Sequence, residues 1–249
     1  MWAVDYFVRS VFRSRAAGKI ANIPFVLGDM RDEGTIFSLV PPLNVTTEDN
    51  FKQYIHEAMF PNATVDEINQ LATLYPQDPA QGSPYGTGVS NQATIGPQYK
   101  RIASILGDIT FQSGRRPFLD HAPNQNKWTY ITDLSLPLLS SVPLLSNLGL
   151  ASLPILGSFH VSDAVLYIFG LLPRSISANS RNIMAGLIRF ANTHDPSPAL
   201  AGTPAWPKYD PQGKNMYNFR EEGPQIIKDD FRVPHMAYLN SNPNQHFNF

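Results

Sequence analysis

Three carboxylates fall within GDMRDEGT (28–35): Asp29, Asp32 and Glu33. The run follows ANIPFVL (21–27), an apolar stretch of strand length. A carboxylate held at a strand end can accept the Nδ1–H of an imidazole, fix its tautomer and stabilise the imidazolium. The plain alternative is an acidic surface turn kept in water. The candidate imidazole is His160, in LGSFHVSD (156–163), a small-residue turn with apolar sequence on both sides. A loop between rigid elements is where an imidazole can reach a cleft and transfer protons. The other histidines are His56, His121, His194, His235 and His246, and none forms an H-x-x-x-H or H-E-x-x-H pair. Cysteine is absent, so a disulfide framework and a thiolate site are excluded. Neither a metal nor a cofactor is expected.

The elements that must position these residues read as follows. NIPFVLG (22–28) is a short strand closed by Gly28. Thr64-Val-Asp-Glu67 is a capping box, opening a helix that runs to Tyr75 and stops at Pro76. Residues 76–97 are turn chemistry throughout, and Pro97 sits where a helix starts. Ile102, Ile105, Leu106 and Ile109 then mark one buried helical face. KWTYITDL (127–134) reads as a second strand, and a last helix spans 180–193 with Ile183, Leu187 and Phe190 inward. Strand, helices, strand, helix is the pattern of an α/β domain. The apolar run 134–156 carries Pro137, Pro143 and Pro154 and five serines. Those interruptions argue for an apolar insertion over a membrane span.

With 43% hydrophobic residues, including 15 Phe and 10 Tyr, the chain can build a sizeable core. Charged residues reach only 16%, below the roughly 25% usual in soluble domains, and 22 prolines cut the chain into short pieces. The net charge of −1 and the lack of a Lys/Arg stripe leave nucleic-acid binding without an electrostatic footprint. The N-terminal MWAVDYFVRSVFRSR places Asp5 and Arg9 where a signal peptide needs an apolar run. Two N-x-[ST] sequons make Asn44 and Asn62 glycosylation candidates should the protein enter the secretory pathway.

An acid after one strand and a histidine after a later one is the chain order of α/β-hydrolases, Ser then Asp/Glu then His. GKIANIPFVLGDMRDEGTIF resembles the segment around the acidic triad residue of the fungal type-B carboxylesterase/lipase family, relatives of the cholinesterases. YPQDPAQGSPYGTG, PQYKRIASILGDITFQSGRRPFL, LGSFHVSD and FANTHDPSPALAGTPAWPKYDPQGK resemble later segments, in the family's order. The resemblance covers about 17–239, with 1–16 non-matching, 134–156 an insertion and 240–249 a polar tail.

It implies the C-terminal portion of an α/β-hydrolase fold, an incomplete sheet with flanking helices. The acid maps onto Glu33, within D-E-G, and the base onto His160. The implied activity is hydrolysis of carboxylic esters, acylglycerols included, through an acyl-enzyme on serine, in a secreted parent. The nucleophile elbow G-x-S-x-G does not occur in these 249 residues: GSPYG (82–86) has its serine misplaced, and GVSNQ (88–92) lacks the second glycine. Val161 also replaces the small residue the family carries after the histidine. The expectations are a chain inactive alone that needs the missing N-terminal half or, alternatively, a non-catalytic cholinesterase-like binding or adhesion module.

Overall fold

The computed structural model describes residues 21–39, 45–89, 95–122, 126–135, 156–164 and 180–241. Its centre is a four-stranded sheet in the order β1-β2-β3-β4. Strand β1 (Phe25–Met30) pairs in parallel with β2 (Lys127–Thr132), from Phe25↔Lys127 to Met30↔Thr132. Strand β3 (Asn215–Phe219) continues the parallel ladder, and β4 (Gln225–Lys228) closes it antiparallel. All six residues of β2 are buried, as befits a central parallel strand covered on both faces.

Gly28 does not end the first strand, as the sequence suggested; β1 runs through it to Met30. The glycine is there for its neighbour. A Cβ at position 28 would lie 2.3 Å from the Tyr130 ring, its register partner on β2. Asp29 is therefore a strand residue, and the turn begins only at Arg31, whose N–H extends the ladder to Thr132 O at 3.0 Å.

Between β1 and β2 the described residues form four α-helices, part of the long crossover a parallel pair requires. Helix α1 (Glu48–Tyr54) is capped by Thr47 and continues through a π turn, Ile55–Met59. Helix α2 (Val65–Leu74) starts on the expected capping box and ends with Tyr75 as its C-cap. Helix α3 (Tyr99–Gly107) passes through a π turn, Asp108–Gln112, into α4 (Ser113–His121). Ile102, Ile105 and Ile109 are buried in one core with Phe51, Ile55 and Leu71 from α1 and α2.

Helix α5 (Ser180–Thr193) has the expected bounds, and α6 (Val233–Ser241) ends the described chain. Ile183 lies in a second core with Trp128, Tyr130, Trp206, Tyr217 and Phe219, while Leu187 and Phe190 pack on its edge. Of residues 134–156, expected from the sequence to form an insertion, Leu134 and Leu156 are buried, and 136–155 lie outside the described residues. No described helix is long and apolar enough to cross a membrane.

Candidate active site

The end of β1 and the turn after it bury all three carboxylates: Asp29 and Asp32 are 6% exposed and Glu33 4%. An acidic turn kept in water is thereby excluded, and each carboxylate has its own partner. Asp29 accepts from Arg115 Nε at 2.7 Å, and Arg115 also grips Asp229 through two bonds of 2.7 and 2.8 Å. Arg116 adds a third bond to Asp229, at 2.7 Å. Asp32 accepts from Ser83 Oγ at 2.7 Å and from the Tyr85 and Ser158 amides at 2.9 and 3.1 Å. Glu33 alone meets an imidazole. Its Oε2 lies 2.7 Å from His160 Nδ1, and its Oε1 accepts the Met30 N–H at 2.7 Å.

The Glu33 turn is seated by close backbone packing. A Cβ on Gly34 would lie 2.0 Å from Ala103 O and 2.5 Å from the Gly107 N, so only glycine lets the turn sit on α3. Gln112 Nε2 donates to Met30 O at 3.0 Å and pins the strand end to the π turn. The His160 loop is tied to the same turn: Asp32 N donates to Ser158 O at 2.9 Å, and Thr35 Oγ1 to Leu156 O at 2.7 Å. The His160 ring faces Phe111 and Phe37, with centroids at 4.3 and 5.2 Å. Among the described residues, no hydrogen-bond partner meets its Nε2.

Burial sets the electrostatics. It pushes the Glu33 carboxyl up to about 8, helped by the nearby charges of Asp29, Asp163 and Asp32 and opposed by the Met30 N–H. It lifts Asp32 to about 6 against the hydrogen bonds from Ser83, Tyr85 and Ser158. Burial also lowers the His160 imidazole below its ordinary value, against the pull of Asp163. The pair therefore carries one proton between two groups that both resist charge. An imidazole oriented through Nδ1 by a carboxylate, its Nε2 uncommitted, is built to accept and return a proton.

The remaining candidates separate from this pair. Ser83 is 1% exposed and committed to Asp32, which is a structural role. His235 Nε2 meets Leu74 O at 2.8 Å, and His121 Nδ1 meets Pro117 O at 2.7 Å. Asn62 is exposed, and Asn44 and His246 lie outside the described residues. A cleft lined by Tyr75, Arg101, Ser104, Arg232 and His235 contains neither member of the pair. Among the described residues, no cluster of three His, Asp or Glu side chains could hold a metal ion. Sequence reasoning weighed Asp32 as a rival acid and missed its part as a tie; its partners at 83, 85 and 158 leave no local signature.

Comparison with known proteins finds sequence relatives of this chain. Lipase 4 of Diutina rugosa is 35% identical over 247 residues, which is 97% of this chain and 40% of that protein. The chain is a relative of fungal lipases. The secreted triacylglycerol lipase LIP1 of Gibberella zeae is 32% identical over 231 residues (91% of this chain, 36% of the lipase). Lipase 2 of Geotrichum candidum is 34% identical over 236 residues, with 94% and 37% covered. The chain thus spans about 40% of the length of the lipase most extensively matched among these. No protein-family model matches it. The crystal structure of Aspergillus niger EstA superposes with a TM-score of 0.69 at 18% identity, over 93% of this chain and 42% of that one. At that identity the likeness speaks for fold, and the fold is a portion of an α/β-hydrolase.

Proposed function

We propose that Glu33 and His160 are the acid and base of a serine carboxylic-ester hydrolase of the carboxylesterase/lipase type. The observation that carries this reading is the 2.7 Å contact between Glu33 Oε2 and His160 Nδ1. Once ionised, Glu33 accepts Nδ1–H and holds the imidazole in the tautomer that leaves Nε2 free, and Nε2 takes the proton of a serine hydroxyl as it attacks an ester carbonyl. The imidazolium then returns that proton to the departing alkoxide. The serine comes from residues outside these 249, since no G-x-S-x-G occurs among them. Among the described residues β1 pairs on one side only, with β2, and its other edge would accept a further strand from the rest of the hydrolase. The substrates are carboxylic esters, acylglycerols among them, by analogy with a relative named as a triacylglycerol lipase. Two relatives named as secreted support an extracellular parent, in which Asn44 and Asn62 would be open to glycosylation.

The missing elbow also supports a second reading, a non-catalytic binding or adhesion module. Fluorophosphonate labelling and ester hydrolysis separate the cases. The 249 residues alone should neither label nor hydrolyse; labelling would overturn the assignment of the nucleophile elsewhere. In a protein that also carries the serine, Glu33→Gln and His160→Gln should each lower turnover by about four orders of magnitude. Unchanged turnover in either variant would sink the triad assignment and leave the binding reading.

A further inference from the structure

Asp32 sits between the two partners without belonging to the pair. It precedes Glu33 by one residue, and its backbone and side chain both grip Ser158, two residues before His160. The Asp32 N–H donates to Ser158 O at 2.9 Å, and Asp32 Oδ2 accepts the Ser158 N–H at 3.1 Å. The other oxygen, Oδ1, takes Ser83 Oγ at 2.7 Å and the Tyr85 N–H at 2.9 Å. Ser83 is itself anchored to α3, its N–H reaching Ser104 Oγ at 2.9 Å. One carboxylate thus joins the Glu33 turn, the His160 loop and the 83–85 segment.

We infer that Asp32 is a positioning residue: it sets the approach of His160 Nδ1 to Glu33 by holding the histidine loop against the acid's turn. The inference rests on the reading of Glu33 and His160 as an acid–base pair. The chain makes room for the clamp at Gly157, whose backbone has φ 56° and where a Cβ would lie 2.2 Å from Asp32 Oδ2. Burial makes an ionised carboxylate costly there, and three donors aimed at its two oxygens offset that cost. Thr35, bonded to Leu156 O at 2.7 Å, ties the start of the loop but does not reach past it to Ser158. The residues nearest the imidazole are therefore governed through Asp32.

The test reads the proton between His160 and Glu33, not catalysis, in the 249-residue chain labelled with 15N at histidine and held above pH 8, where Nδ1 carries that proton. Ser83→Ala removes one donor and keeps the carboxylate; Asp32→Asn turns one acceptor into a donor facing a donor. In both, exchange of that proton with water should rise about fivefold or more, with Asp32→Asn the faster. The exposed pair formed by Asp210 Oδ2 and the Gly213 N–H, at 2.6 Å, lies in another turn, so Asp210→Asn serves as the control and should leave the exchange rate unchanged. Wild-type exchange in Ser83→Ala would overturn the inference even if Asp32→Asn fails to fold. A failure of the esterase reading would appear in turnover and leave this readout intact, so the two failures are distinguishable.

Discussion

Gly34 and Gly107 meet backbone to backbone, and that contact lets the Glu33 turn sit directly on helix α3. A Cβ on Gly34 would come within 2.5 Å of the Gly107 N, and one on Gly107 within 3.0 Å of the Gly34 N. The two sites are not equivalent, because the Gly34 Cβ would also strike Ala103 O at 2.0 Å.

Gly34→Ala should therefore destabilise the chain by about 2–3 kcal/mol, since the obstruction is backbone that cannot rotate away. Gly107→Ala should cost less. Urea unfolding of the two variants checks the order, and equal midpoints would show that the contact is looser than its geometry.

The Glu33–His160 pair should change its hydrogen-bond direction with pH. Burial pushes Glu33 up to about 8, so below that pH the carboxyl keeps the proton and donates to Nδ1, which leaves Nε2 protonated. Above it, Nδ1–H donates to the carboxylate and Nε2 becomes the acceptor. Histidine 15N shifts should report this tautomer switch near pH 8, and a single tautomer from pH 6 to 9 would refute it. The linkage sign follows. Glu33 rises from 4.5 to about 8 and Asp32 from 3.8 to about 6, so the folded state binds more protons than the unfolded chain between those values. Their contribution is fully present below about pH 4 and is lost as pH climbs to about 8, at roughly 1.4 kcal/mol per pH unit for each group in its own window. Glu33→Gln should flatten the upper part of that slope.

Val161, directly after His160, holds φ 60° and is 42% exposed. A β-branched residue in the left-handed region costs about 1–2 kcal/mol, and little burial offsets it here. Val161→Gly should raise stability by about 1 kcal/mol or slightly less, after the entropy glycine loses on folding. Thermal unfolding decides: a lowered midpoint would mean that the valine side chain packs more tightly than its exposure implies.

How much of this was legible in the sequence depended on where each signal lay. Helix α2 announced itself through Thr64 and Glu67, whose reciprocal bonds are local. Helix α5 was legible through the spacing of Ile183, Leu187 and Phe190. Helix α4 was not, because its buried face carries Arg115 and Arg116 and its interior Pro117, a composition with no apolar period. Helix α1 had a readable start, Thr47 before Glu48 and Asp49, that went unused. Strands β3 and β4 are five and four residues long, and NMYNF and QIIK are too short to carry a period of their own. Glu33 and His160 were singled out by family resemblance; spacing alone left Asp29, Asp32 and Glu33 equal. What separates those three is 3D partnership with Arg115, Ser83 and His160, each far away along the chain.

The Arg115 guanidinium joins Asp29 near the start of the described chain to Asp229 near its end. Until Asp229 arrives, Arg115 and Arg116 place two buried cations against the single carboxylate of Asp29. Full pairing of these guanidinium groups therefore waits for the segment that carries Asp229 to dock. Closing so long a loop is slow, because its entropy must be surrendered before the contact forms. Docking of that segment, rather than growth of helix α4, therefore completes the ionic network that runs from Asp29 through Arg115 to Asp229.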